Sequence, residues 1–496
     1  VRQFVFLLVF FFASLISAGA QQKFDFNAAC LQAYQEINKL KFETAESQLQ
    51  KIRLQQPENL IPLLLDNYID FYTLFFNEDP GYYTQRMGLM QNRLDALSHG
   101  DKASPFYLYS QSLIRLQRGA VQIKFGNFWD AGWDIRKAYL LIKENRKKFP
   151  KFSPNEMVYG ALESVMGTIP KGYKWLTNLL GMRGSINEGM KKMKAFTNSN
   201  EYWARQFSNE ACFIYPYLLF HIANERKEAL DFVENKKLDL VNNHLHAFMA
   251  ANLSLNNKDA AQCKLIILHR NKSPEYLSTP VWEFQLGYAQ LYHVELKEAI
   301  HHFEQFTQQF KGKFYVKDSY QKISWAYYLQ GNQQEAEANR KLTLTKGSTT
   351  SDADKKANRD AKENNWPNPL LLKARLLSDG GYHSEAYKLL QGKTSNDFSS
   401  TEDKLDFAYR AARIYDDLGR KDDAIKNYLL AIKLGGNRRE HYAARAALQI
   451  GMIYEERGDK ANAILYYQQC INMEGHEFKD SLDQKAKSGI ARCKGN

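Results

Sequence analysis

The sequence predicts an all-α protein, a solenoid of stacked helical hairpins wound into an α-α superhelix. Three observations predict it. Tyr415, Gly419, Ala424, Tyr428 and Ala431 recur as Tyr454, Gly458, Ala463, Tyr467 and Cys470, every pair 39 residues apart. Apolar residues upstream return at helical intervals rather than alternating. Only 12 prolines interrupt 496 residues. Two short helices cannot bury their apolar faces alone. Stacking hairpins builds a continuous core, so the same packing residues return once per unit.

Residues 1–20 read as a signal peptide. Arg2 precedes an unbroken apolar run over 4–12, and Ala18-Gly19-Ala20 offers small residues where a signal peptidase cuts. The run is short for a membrane span. Val1 fits a non-AUG start and points to a bacterial gene. Export predicts a periplasmic or outer-membrane-associated protein. Cys30, Cys212, Cys263, Cys470 and Cys493 are odd in number and contain no CxxC, so they read as small core residues rather than a disulfide framework. The net charge of +12 over the whole chain, without basic stripes, does not point to nucleic acid.

From residue 21 to 200 the pattern is helical. Ala33, Ile37 and Leu40 mark one helix; Ala45, Leu49 and Ile52 mark its partner, stopped by Pro57. Residues 60–76 predict an amphipathic core helix carrying Asp66, Asn67 and Asp70. Residues 105–150 predict a hairpin turning at Gly126, with Ala131, Ile135 and Ala138 as its packing stripe. A basic last turn, Lys143, Arg146, Lys147 and Lys148, complements the helix dipole. The block 157–196 is dense in glycine (160, 167, 172, 181, 184, 189), which predicts tight turns and close helix contacts around an apolar stretch, Tyr173 to Leu180. Over 201–345, Ala229, Ala261, Ala299 and Ala336 each open a second helix, 32, 38 and 37 residues apart. Residues 346–369 are polar and read as an insert, either loop or frayed helix. The pattern resumes over 370–496, with Ala386, Ala424 and Ala463.

On these residues the chain resembles the tetratricopeptide repeat (TPR) proteins. The resemblance covers 405–473, then 282–340 and 35–57; its periods of 37 to 39 exceed the family's usual 34. Residues 106–196 are also similar to the central part of the inclusion-body-clearance and tetratricopeptide-39 proteins, through Gly160, Leu162, Pro170, Leu179, Leu180, Gly181, Gly184 and Gly189. Those proteins are helical adaptors linked to membranes and lipid bodies. The TPR resemblance implies that the first helix of each hairpin lines a concave binding face. Its non-core positions there are Tyr288, Trp325, Tyr328, Tyr409, Arg413, Asp416, Met452 and Glu455. The Lys and Asn set with which TPR co-chaperones clamp a carboxylate does not occur at these places.

No catalytic motif is present: the sequence contains no GxxxxGK[ST], HExxH or GxSxG. His244 with His246, and the adjacent His301 and His302, have the wrong spacing to share a metal on a helix. Asp422-Asp423 and Glu455-Glu456 read as solvated edges of hairpins. The sequence therefore predicts a non-enzymatic exported scaffold, without cofactor or metal, that binds a cell-envelope protein or peptide. Peripheral membrane contact is compatible with it. The alternative is an outer-membrane-associated glycan- or nutrient-binding repeat protein, suggested by the 13% aromatic content.

Overall fold

The computed structural model describes residues 22–167, 184–436 and 438–495. The expected signal peptide and the stretch Tyr173 to Leu180, with Pro170, Gly172 and Gly181, lie outside the described residues. Twenty-five α-helices make up the described chain, which contains no strand beyond an isolated bridge between Lys23 and Asn59. None of these helices is long and apolar enough to cross a membrane.

The helices fall into antiparallel pairs. In the first half they are α1 (Ala28–Asn38) with α2 (Phe42–Gln55), α3 (Ile61–Asn77) with α4 (Pro80–Leu97), α5 (Phe106–Lys124) with α6 (Phe128–Lys148), and α7 (Pro154–Gly167) with α8 (Ile186–Thr197). The short α9 (Tyr202–Gln206) leads into α10 (Ser208–Leu218), which continues through a π turn and pairs with α11 (Arg226–Asn235). Then follow α12 (His244–Asn256) with α13 (Ala260–His269), α14 (Val281–Tyr292) with α15 (Leu296–Gln309), and α16 (Val316–Leu329) with α17 (Gln333–Thr345). A single helix, α18 (Asp352–Glu363), precedes α19 (Pro369–Gly380) with α20 (His383–Leu390), α21 (Thr401–Asp417) with α22 (Lys421–Gly435), and α23 (Tyr442–Glu456) with α24 (Lys460–Asn472). The last helix, α25 (Lys479–Lys494), covers the end of the stack.

The hairpins close where a small residue meets a large one. Ala229, Ala299, Ala336, Ala386, Ala424 and Ala463 are fully buried, as the repeat predicts. One position moves: Ala260 is the buried alanine of its hairpin and Ala261 is exposed, because α13 starts at Ala260 and its buried stripe runs through Cys263 and Ile267. Gly419 and Gly458 end their first helices at φ of +75° and +77°, a conformation easiest for glycine. Tyr467 is fully buried, with Gly451 of α23 on one side and Gly489 of α25 on the other. A Cβ on Gly451 would come within 2.6 Å of that ring. All five cysteines are free and buried, so none forms a bridge.

Two expectations change. Helix α3 is buried all round rather than amphipathic. Asn67 and Asp70 sit in the core, where Asn67 donates to Gln117 at 2.7 Å and Asp70 pairs with Arg93 at 2.7 Å. Burial of these groups is tolerable because each finds a partner. The polar segment 346–369 is a packed helix rather than an open loop: α18 buries Asp354, Ala357 and Ala361 against α16 and α17.

The first half also departs from a plain array. One apolar core runs from Phe26 to Leu253, and α10 passes through its centre, touching α1, α7, α8 and α12. The chain returns on itself there: the His244 and Leu277 amides donate to the Lys39 and Leu40 carbonyls. Glu210 of α10 is buried in this core and accepts from the hydroxyls of Tyr34 and Tyr68. Removal from water raises its pKa to about 7 from the ordinary 4.5, against the opposing pull of those two hydroxyls. The close glycines behave as expected. Gly160 of α7 and Gly189 of α8 pack backbone to backbone, so a Cβ on Gly160 would meet the Gly189 carbonyl at 3.0 Å.

Two outcomes follow from this packing. Gly451→Ala is expected to cost about 1–3 kcal/mol in urea denaturation through overpacking against Tyr467; an unchanged midpoint would contradict the packing. Glu210 is protonated more readily folded than unfolded. Its stabilising contribution is complete below pH 4.5 and is lost as pH rises through about 7. Glu210→Gln, always neutral, should therefore gain on the wild type by about 3 kcal/mol over that rise in pH, measured by parallel urea melts.

Candidate functional site

Two regions stand out, each built largely by the first helices of successive hairpins. The first is a cavity of about 740 Å³ between α3, α10, α12 and α14–α16. Its wall is aromatic in part because helical spacing projects one ring per turn from two of the helices: Phe213 and Tyr217 from α10, Phe284, Tyr288 and Tyr292 from α14. Its charged groups are paired within the protein. Glu78 accepts from Lys124 at 2.6 Å, and Asp318 accepts from Lys322 at 2.9 Å and from the Tyr288 hydroxyl. Burial lowers the His221 pKa, so its imidazole is neutral at pH 7.

The insert helix α18 supports this cavity. Asp354 is fully buried and accepts from the backbone N–H of Tyr315 at 2.7 Å and of Asp318 at 3.1 Å. It also accepts from the Ser351 hydroxyl at 2.6 Å. Asp354 thus caps α16 from another helix, satisfying donors that the helix start leaves open. Tyr315 is held at φ +62°, a costly conformation for a bulky residue, with its ring against Phe284.

The second region is cationic. Arg375 of α19, Arg410 of α21, Arg445 of α23 and Lys356 of α18 converge on His441. Burial and these four positive charges push the His441 pKa down to about 3, so the ring is neutral and its approach to Glu477 is not an ion pair. Lys356 pairs with Asp360 at 2.6 Å, and Arg410 with Asp406 at 3.0 Å. Among the described residues Arg445 and Lys485 have no acidic partner, and burial together with Arg445 and Arg226 lowers the Lys485 pKa.

The eight expected contact residues divide between these regions and the core. Tyr288 lines the cavity and Trp325 lies beside it, with Lys322 over both rings at 5.8 and 4.3 Å. Arg375 also lies over Trp325 at 5.3 Å, and the ring is only 8% exposed. Tyr328 packs on Trp366, and Arg413 faces Asp379 at 3.8 Å. Tyr409 is buried, stacked on Tyr442. Asp416 and Glu455 stitch hairpins: Asp416 to Lys421 at 2.8 Å, Glu455 to Arg492 at 2.7 Å. Met452 is exposed.

Sequence reasoning passed over Arg375, Arg410, Arg445 and Lys356. Arg375 was findable: it stands 38 residues before Arg413, the same step as Ala386 to Ala424. Lys356 carried no such signal, since it lies in the insert. The histidine pairs are used structurally. His244 and His246 hydrogen-bond to the Asn271 and Asn209 carbonyls at 2.7 and 2.8 Å. Among the described residues, no cluster of three or more His, Cys, Asp or Glu could hold a metal ion.

The tetratricopeptide repeat family model matches residues 405–434 and 444–476. Among solved structures, the chain is similar to the P58(IPK) TPR domain at 12% identity, covering 83% of this chain and 95% of that one, with a TM-score of 0.22. It is also similar to a chain of the APC/C hetero-tetramer Cut9-Hcn1 at 12% identity, over 94% and 95% of the two chains, with a TM-score of 0.29. Yeast Tom70 matches at 13% identity, over 94% and 96%, with a TM-score of 0.25. No curated protein matches the chain.

The cap is open to test. Asp354→Ala leaves two backbone donors without their acceptor and is expected to lower stability by about 1–3 kcal/mol. Asp354→Asn, which retains an acceptor oxygen, should recover part of it. Equal urea midpoints for the wild type and the Ala variant would remove Asp354 from this role.

Proposed function

We propose that this tetratricopeptide-repeat chain is a non-enzymatic scaffold that holds another protein of the cell envelope by an acidic segment laid along its inner face. The repeats support a protein-interaction scaffold. The observation that carries the acidic partner is the cationic region, where Arg375, Arg410, Arg445 and Lys356 act together on a neutral His441, and where, among the described residues, Arg445 and the exposed Lys485 have no acidic partner. Several cations sharing one field repel one another in the free protein, and an anionic partner relieves it. The apolar run at 4–12 and the small residues Ala18-Gly19-Ala20 support export, hence a periplasmic or outer-membrane-associated scaffold.

The test is a charge reversal. The double variant Arg445→Glu/Lys485→Glu should lose at least about tenfold in affinity for the envelope protein captured by the wild type and purified. The wild-type affinity should fall steeply with added salt and the variant's should not. Undiminished binding by the variant, with its circular dichroism and melting unchanged, would overturn the acidic-segment reading.

A further inference from the structure

Helix α6 carries an outer face that the packing does not use. Trp129, Trp133, Arg136, Leu140, Lys143 and Lys147 recur at alternating steps of four and three residues, which places them on one line along the helix. The opposite line, Ala131, Asp134, Ala138, Ile142 and Asn145, is the buried one. Trp129 is 72% exposed and Trp133 43%, and their rings meet edge to face at 6.2 Å. Phe128 and Ile123 are exposed beside them at the tip of the α5–α6 hairpin. Two adjacent tryptophans left in water forgo a large burial, and with these neighbours they mark a contact site.

The rest of the line defines what covers it. Beyond the rings it is basic, with Leu140 set among the cations. Arg136 lies over the Trp133 ring at 5.7 Å. Among the described residues, Lys143 and Lys147 have no acidic partner, unlike Arg146 on the flank, which pairs with Glu156 at 2.6 Å. The helix dipole accounts for a cation in the last turn, such as Lys147, but not for Lys143 a turn earlier. The exposed acids of α6, Asp130 and Glu144, both stand to one side of the line.

The line is convex, the outer ridge of a single helix, and runs for roughly 27 Å. A folded protein partner would need a matching groove of that length. A bilayer needs none, since it deforms around what enters it. An indole ring suits the boundary between hydrocarbon and head groups, because its body is apolar and its N–H polar, and cations beside it meet the lipid phosphates.

We propose that the exposed face of α6 docks on an anionic phospholipid surface, with Trp129 and Trp133 entering the head-group boundary and Lys143 and Lys147 meeting the phosphates. The contact is peripheral, since no described helix is long and apolar enough to cross a membrane. It shares no residue with the cationic region around His441, so the two surfaces can be lost separately.

The test is titration of the full chain with vesicles of phosphatidylcholine, with and without phosphatidylglycerol. Tryptophan emission and its quenching by chain-brominated lipids are the readouts. Residues 1–20 contain no tryptophan and contribute to neither signal. Emission should shift to the blue and be quenched at lipid concentrations about tenfold lower with phosphatidylglycerol than without, an advantage that added salt removes. Trp129→Ala/Trp133→Ala should lose the shift and the quenching, and should co-sediment with anionic vesicles at least about tenfold more weakly. Lys143→Glu/Lys147→Glu keeps both rings and should lose the phosphatidylglycerol advantage. The substituted side chains are exposed, so both variants should melt with the wild type. Arg445→Glu/Lys485→Glu should bind vesicles as the wild type does. The proposal fails if the wild type does not distinguish the two kinds of vesicle, if either α6 variant binds as the wild type does, or if Arg445→Glu/Lys485→Glu loses the binding. It also fails if no vesicle shifts the emission and Trp129→Ala/Trp133→Ala instead abolishes self-association, which would make the face a contact between copies of this chain.

Discussion

The array depends on close approach at small residues. Each hairpin closes because an alanine or glycine lets an aromatic ring or a helix backbone come within contact distance, and one hairpin's ring then forms the floor for the next. Tyr467 shows the arrangement plainly: it projects from α24 into space left by Gly451 and Gly489 on the helices to either side. Gly287 does the same for Phe303 in an earlier hairpin. The cost of a misplaced methyl group at such contacts is what makes the period visible in the sequence at all.

The cavity and the cationic region are governed by a different requirement. The groups their first helices present there are not the ones that stack the hairpins. In the centre the presented groups are rings around a cavity; toward the C-terminus they are arginines and lysines. Register links them. Trp325 follows Tyr288 by 37 residues, Arg413 follows Arg375 by 38, and Met452 follows Arg413 by 39, with the insert between Trp325 and Arg375. The same repeat position therefore carries an aromatic, a buried aromatic, a cation and an exposed thioether in turn. The α18 insert fits this picture as reinforcement: its Asp354 holds the start of α16, and Arg359 reaches Glu477 at 3.3 Å beyond the C-terminal hairpins.

Much of the fold was legible because stacking repeats itself. The first hairpin, the 105–150 hairpin, the Gly419 and Gly458 turns and the buried alanines could all be read from spacing. Helix α4 escaped notice, having few buried apolar residues to mark it, only Met90, Leu94 and Leu97. The candidate site was less legible. Tyr409 satisfies the same positional rule as Arg413 yet is buried, because a residue one turn along a helix from a contact position can face the next hairpin. Gln285 looked like any helical glutamine. Nothing local distinguishes a glutamine that meets water from one buried in the fold.

The sequence by itself determined that the chain is helical, that its helices pair, and where most pairs turn, since these follow from residue period and from the conformations that glycine and proline permit. Tertiary structure alone decided that α10 runs through the middle of the first half, where Glu210 meets Tyr34 and Tyr68 across 176 and 142 residues of chain. It also decided that Arg375, Arg410, Arg445 and Lys356 share one electrostatic field, and that rings from α10 and α14 line one cavity. Those relations depend on the angle at which each hairpin docks on the last. That angle is set by the sum of many side-chain contacts distributed over several helices, and no short stretch of sequence contains it.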